Sequence, residues 1–209
     1  MEQPMAQETG DTRDSSGANP DAVRGTAICA VLGGLLLVAY ALLMNLKPRG
    51  CIGEECVGQS YRAAGPLEST LILAALGLMI ATAFGLFWMH RFEGRGARMV
   101  RIAALVAAVS LFIGVALSNV FWWAGLAALL LAMLAFAVAG AGLMRSRVLP
   151  PWSGAMLILT SLLLLVHNDQ NELILLVIPF GVTWMVLGGL LWSTAPSSSG
   201  RWHAGIQHA

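Results

Sequence analysis

Residues 102–144 read IAALVAAVSLFIGVALSNVFWWAGLAALLLAMLAFAVAGAGLM, without one Asp, Glu, Lys, Arg or His. A soluble domain of this size brings most of its chain to the surface, so it has no interior that could hide such a run. The rest of the composition agrees. Of the 209 residues 57% are hydrophobic and 11% charged, where ordinary globular proteins carry roughly a quarter charged residues. A soluble enzyme, a nucleic-acid-binding protein and a disordered chain are excluded together. The formal net charge of +1 gives no whole-protein attraction to polyanions either.

Hydrocarbon offers no water to unpaired backbone groups, so spanning segments are helices or a closed barrel. Barrel strands alternate apolar and polar residues over about ten positions. Nothing here alternates, and Leu126 to Met144 is apolar on every side. The predicted fold class is therefore all-α: a polytopic integral membrane protein, a bundle of transmembrane helices embedded in a lipid bilayer. About 20 apolar residues cross roughly 30 Å of hydrocarbon, so residues 102–144 make two spans. They divide where Ser118 and Asn119 supply turn residues and Phe121, Trp122 and Trp123 supply interfacial aromatics.

Six spans are expected in all, at about 26–46, 69–89, 102–121, 123–144, 152–167 and 173–192, within a transmembrane domain of residues 25–193. The fifth is the shortest. It opens on Pro150-Pro151, where proline's missing N–H costs a helix nothing. Residues 1–24 hold five acids and two arginines and read as a disordered acidic tail rather than a secretory signal. Residues 194–209 read as a flexible carboxyl-terminal tail.

Lys and Arg accumulate on the cytoplasmic side of short loops. With six spans, Arg13, Arg24, Arg91, Arg95, Arg98, Arg101, Arg145, Arg147 and Arg201 share one side, and Lys47, Arg49 and Arg62 the other. Nine against three predicts cytoplasmic amino and carboxyl termini. One lysine among twelve basic residues points to a GC-rich bacterial genome, hence to a plasma or inner membrane.

Cys51-Ile-Gly-Glu-Glu-Cys56 is the most distinctive local motif, and this topology puts it outside, where disulfides persist. Thiol–disulfide enzymes usually keep two residues between their cysteines. Four separate these, so a structural disulfide is the preferred reading over a redox pair. Two cysteines fall short of a zinc site, and no metal or cofactor is expected. Cys29, inside the first span, reads as a small buried filler. His90 and His167 end spans on opposite sides, about 30 Å apart, which argues against a shared haem.

Embedded charge marks proton relays, ion paths and substrate sites, and the six expected spans contain none, with Glu68 placed just outside the second. Tyr40, Ser110, Thr160, Ser161 and Thr183 remain as mild polar groups, and Pro179 with Gly181 is expected to kink the sixth helix. Gly77, Ala81 and Gly85 fall at four-residue intervals on the second span, a spacing that lets another backbone approach closely. Ala128 with Ala132, and Ala135 with Ala139, repeat it on the fourth. These seams are expected to hold the bundle together and leave a homo-oligomer or a membrane-protein partner open. Arg91, Arg95, Arg98 and Arg101 form a topology anchor that also suits anionic lipid headgroups, at about 1 kcal/mol per basic residue.

The motif Val148-Leu149-Pro150-Pro151-Trp152-Ser153-Gly154, running into a leucine-rich helix and closing at Trp184 and Trp192, resembles the carboxyl-terminal part of small uncharacterised multi-span membrane proteins of high-GC bacteria. The likeness covers about the last 60 residues. It implies a bacterial inner-membrane bundle and brings no activity with it. With no catalytic constellation, the expected role is that of a non-enzymatic accessory or scaffold membrane subunit. A small transporter or channel for an apolar or neutral solute is the alternative, with its path beside Pro179 and Tyr40. A thiol-redox enzyme using Cys51 and Cys56 is third.

Overall fold

The computed structural model describes residues 20–51, 62–89, 94–118 and 120–195. Among these the regular elements are six α-helices: α1 (Pro20–Asn45), α2 (Pro66–Trp88), α3 (Gly94–Leu117), α4 (Trp122–Ser146), α5 (Pro151–Leu163) and α6 (Val177–Ser193). A 3-10 turn at Leu164–Val166 prolongs α5, and a second at Glu172–Leu176 leads into α6. Three helices open on a proline, Pro20, Pro66 and Pro151, where the ring is pre-set for the first helical turn.

Five stretches are long and apolar enough to cross a membrane: α1 to α4, and the 22 residues Glu172–Ser193. The sixth, Pro151–Val166, rises only about 25 Å. The chain is thus an apolar helical bundle with the makings of a multi-pass membrane protein.

The helices run past the hydropathy boundaries in the basic and acidic flanks. α1 begins at Pro20 rather than Thr26, so residues 20–24 of the expected tail are helical, and α3 begins at Gly94 rather than Ile102. Hydropathy marks where charge stops, whereas arginine is a good helix former and its turns continue into water. Glu68 likewise falls inside the first turn of α2. The turn between α3 and α4 is where the sequence put it. Phe121 N–H bonds back to Leu117 O at 2.7 Å, and Phe121 is the N-cap of α4.

Each helix packs on its neighbours in the chain, and α6 returns to pack on α1, closing a ring. In lipid no hydrophobic force drives helices together, so close packing through small residues does that work. Three seams bring backbone onto backbone, and in the one between α3 and α4 a Cβ on Gly96 would lie 2.7 Å from Ser146 N. A Cβ on Gly181 of α6 would lie 2.7 Å from the Gly34 carbonyl oxygen of α1, and one on Gly140 of α4 would lie 2.6 Å from that of Gly154 on α5. Only glycine permits any of these approaches. The middle of the ring is filled by Phe136 of α4 with Phe180 and Trp184 of α6, all buried, their ring centroids 5.1–6.1 Å apart. Ala132, Ala135 and Ala139 are buried on the same side of α4.

The spacing of Gly77, Ala81 and Gly85 is met only in part. Gly85 packs against Thr26 of α1, but Gly77 faces open space and Ala81 is exposed. The buried face of α2 runs instead through Ala75, Met79, Thr82, Ala83 and Leu86. Replacing Gly181 with Leu should lower bundle stability by about 1–3 kcal/mol, the usual penalty for overpacking. Gly77→Ala should be neutral or add about 0.5–1 kcal/mol through helix propensity. Thermal unfolding in detergent measures both, and greater damage from Gly77→Ala would move the seam to the other face of α2.

Candidate functional site

One end of the bundle is tied by a polar cap. The segment after α1 carries Lys47, Pro48, Arg49 and Gly50; residues 62–65 lead into α2; and residues 167–172, HNDQNE, join the two 3-10 turns. Arg62 is 6% exposed and sits where the three meet. Its guanidinium donates to the carbonyl oxygens of Pro48 (3.0 Å), Lys47 (3.0 Å), Asp169 (3.2 Å) and Asn171 (3.3 Å). Gln170 completes the junction. Its side-chain oxygen accepts from Arg62 N–H at 2.7 Å, its amide donates to Arg62 O at 3.2 Å, and its own carbonyl accepts from Gly50 N–H at 2.9 Å. Lys47 pairs with Glu68 at 2.8 Å, and Arg49 with Glu172 at the exposed rim. Exposed pairs contribute little, whereas the four carbonyls on one buried guanidinium are charge-assisted bonds.

Beneath the cap lies a cavity of about 220 Å³. Its walls come from α1, α2, α4, α6 and the 3-10 extension of α5, with no residue of α3. Leucines, Met79, Met133 and Phe180 make most of the lining, and Tyr40 and His167 are its polar members. No Asp, Glu, Lys or Arg lines it. Protein packed along one side of the His167 ring holds the imidazole below its usual range, against the pull of Asp169. The cavity stops at Phe180, which belongs to the aromatic plug.

Pro179 takes no part in this wall. It sits in the first turn of α6, just after the 3-10 turn, rather than at a kink within the helix. Gly181 serves the seam with α1. The hydroxyls noted in the sequence are mostly absorbed locally. Thr160 bonds Met156 O (2.8 Å) and Thr183 bonds Pro179 O (2.9 Å), while Thr160 and Thr183 meet at 3.3 Å between α5 and α6. Ser110 and Ser161 are buried.

The opposite end is basic. Arg24 lies over the Trp192 ring at 5.7 Å and Arg145 reaches Met99 Sδ at 3.0 Å, joining the ends of α1 with α6 and of α3 with α4. Arg95 and Arg98 are exposed on α3 and line a shallow hollow of about 490 Å³ with Gly94, Met99 and Ile102. Arg101 follows one turn on, half-buried. Arg91, His90 and Cys56 lie outside the described residues. Cys51 is half-buried at the edge of the cap, and Cys29 is a half-buried free thiol on α1. Among the described residues no group of three or more His, Cys, Asp or Glu is placed to hold a metal ion.

The residues the sequence reading passed over are Arg62 and Gln170. The signal available was the run of six polar residues from His167 to Glu172, conspicuous in so apolar a chain. Comparison of the chain with protein-family models, curated proteins and solved structures finds no match, so the likeness drawn from Val148–Gly154 transfers no role. Arg62→Ala should lower stability by on the order of 3 kcal/mol. Arg62→Lys should recover only part, because an ammonium cannot reproduce the guanidinium fork. Hydrogen exchange of the amides in residues 167–172 should quicken in both variants, and an unchanged rate would remove Arg62 as the tie.

Proposed function

We propose that the chain is a non-enzymatic integral membrane protein acting as an accessory or scaffold subunit, with six spans and the short Pro151–Val166 as the fifth. The observation carrying this reading is the filled centre: Phe136, Phe180 and Trp184 occupy the middle of the ring. Apart from Arg101, eight residues into α3, the helices' acidic and basic residues lie in their terminal turns. Such an interior offers no polar path through the bundle and no embedded carboxylate to relay a proton. Purification in mild detergent should bring down a stable membrane partner or a second copy of the chain, and liposomes holding the purified protein should pass no solute. Flux by the protein alone would sink the reading.

A carrier for an apolar or neutral solute is the second reading, and the cavity beneath the cap favours it. Opening the aromatic plug would be its rate-limiting motion. The redox reading is weaker, since what supports it is the spacing of Cys51 and Cys56 alone; a structural ring closing the cap loop is the role proposed for that pair.

The proposed orientation puts the cap outside the cytoplasm and Arg24, Arg95, Arg98, Arg101, Arg145 and Arg147 inside, with both termini. Arg95 and Arg98 there meet anionic headgroups, which attract each basic side chain by about 1 kcal/mol; Arg91 is expected to join them. This orientation can be read directly. Ala64 and Arg95 are both exposed. In a background lacking the native cysteines, a membrane-impermeant thiol reagent applied to intact cells should label Ala64→Cys and spare Arg95→Cys. The reverse pattern would invert the protein in its membrane.

A further inference from the structure

The cavity under the cap has a polar end and an apolar end. Tyr40 stands five residues before the end of α1 and His167 caps the 3-10 extension of α5, so both lie at the capped end. From Ile72 to Met79 on α2, and from Leu126 to Met133 on α4, the lining descends seven residues, or about 10 Å. The exposed members of the wall are Leu126 and Leu130, at 37% and 38%, and His167. The opening is therefore on the α4 side, next to His167 and close to the capped end.

Among the described residues neither the Tyr40 hydroxyl nor the His167 ring makes a hydrogen bond. The Tyr40 hydroxyl and the exposed His167 ring are thus the two polar groups on an otherwise apolar wall, open to a hydrogen-bonding partner. The absence of ionised side chains from the wall leaves a charged head without a counter-ion, which disfavours it at this depth. A volume of 220 Å³ exceeds the roughly 150 Å³ that admits benzene and is below the 300–1,000 Å³ usual for drug-sized ligands. It suits a ligand of roughly ten non-hydrogen atoms, or that much of a longer chain.

We propose that this cavity binds an uncharged single-chain amphiphile drawn from the bilayer, its hydroxyl or carbonyl head between Tyr40 and His167 and its chain directed toward Met79 and Met133. The head stays at the interface where the mouth opens, and the chain replaces lipid contacts with the leucines of α2 and α4. This goes beyond the accessory role and does not depend on it, because occupancy is read by labelling and the accessory role by co-purification.

The probe is octan-1-ol carrying a photoreactive diazirine on its third carbon, applied to the full chain in nanodiscs and mapped by peptide mass spectrometry. Adducts should concentrate within residues 37–40, 72–79, 126–133 and 164–167, and excess octan-1-ol should displace them while octanoate at pH 8 does not. Tyr40→Phe keeps the ring and deletes the hydroxyl, so labelling should fall about three- to tenfold, as loss of one hydrogen bond implies. Leu130→Trp, at a wall position already open to lipid, should block the mouth and abolish competed labelling while the thermal transition stays in place. Labelling that spreads over outward residues such as Leu42, Val138 and Leu159, or that ignores both variants, would overturn the proposal. So would equal displacement by octanoate, which would assign the site to an anionic ligand.

Discussion

In hydrocarbon the backbone must satisfy itself, and helices that have done so have no hydrophobic reason to meet. Everything else in this bundle rests on how that is resolved: glycines on facing helices allow their axes to come close enough for dispersion to act. Gly34 against Gly181 holds α1 to α6, and Gly140 against Gly154 holds α4 to α5. Between these seams the ring has a fixed circumference, and a fixed circumference sets the size of its middle. Three aromatic rings fill that middle on the α4–α6 side. Toward the cap, where α3 leaves the wall, the same geometry opens into the cavity.

Much of this is legible in the sequence. Apolar length alone marks the helices, and Ser118 before Phe121-Trp122-Trp123 marks the break in a run long enough for two. The outward faces were not legible, for a physical reason. A helix apolar all round carries no contrast between its buried and lipid-facing sides, so the spacing of Gly77, Ala81 and Gly85 showed that three small residues share a stripe without showing where the stripe points. It points largely away from the other helices of the chain, and α2 packs through Ala75 and Thr82 instead. Tyr40 and His167 were visible as isolated polar residues, but their meeting in one cavity needs helices far apart in sequence to be brought together. Arg62 and Gln170 were hidden more thoroughly, since a guanidinium that binds main-chain carbonyls requires no partner side chain and leaves no pattern in the residues it binds.

The two ends of the molecule handle charge differently. At the cap, Lys47 and Arg49 face carboxylates and Arg62 is consumed by carbonyls, which leaves little field and ties the loops together. At the other end, Arg95 and Arg98 of α3 stand on exposed turns, with no acidic residue in the first turn of that helix. One end is a structural junction, and the other presents the exposed arginines Arg95 and Arg98.

The closure of α6 onto α1 also imposes an order on biosynthesis. A chain that enters the membrane helix by helix forms the α1–α2 and α3–α4 contacts as soon as each hairpin is complete. Gly34, however, waits through the making of nearly 150 further residues before Gly181 exists. Arg62 waits similarly for Gln170. Until the last helix arrives, the nascent protein is an open arc with a bare glycine face at its leading edge and, at its rim, a guanidinium with only the Lys47 and Pro48 carbonyls to bind. Late non-local contacts of this kind slow assembly and expose partly built surfaces to wrong partners. The final helix is therefore the clasp that turns the arc into a ring, and the stage just before it is where quality control has most to recognise.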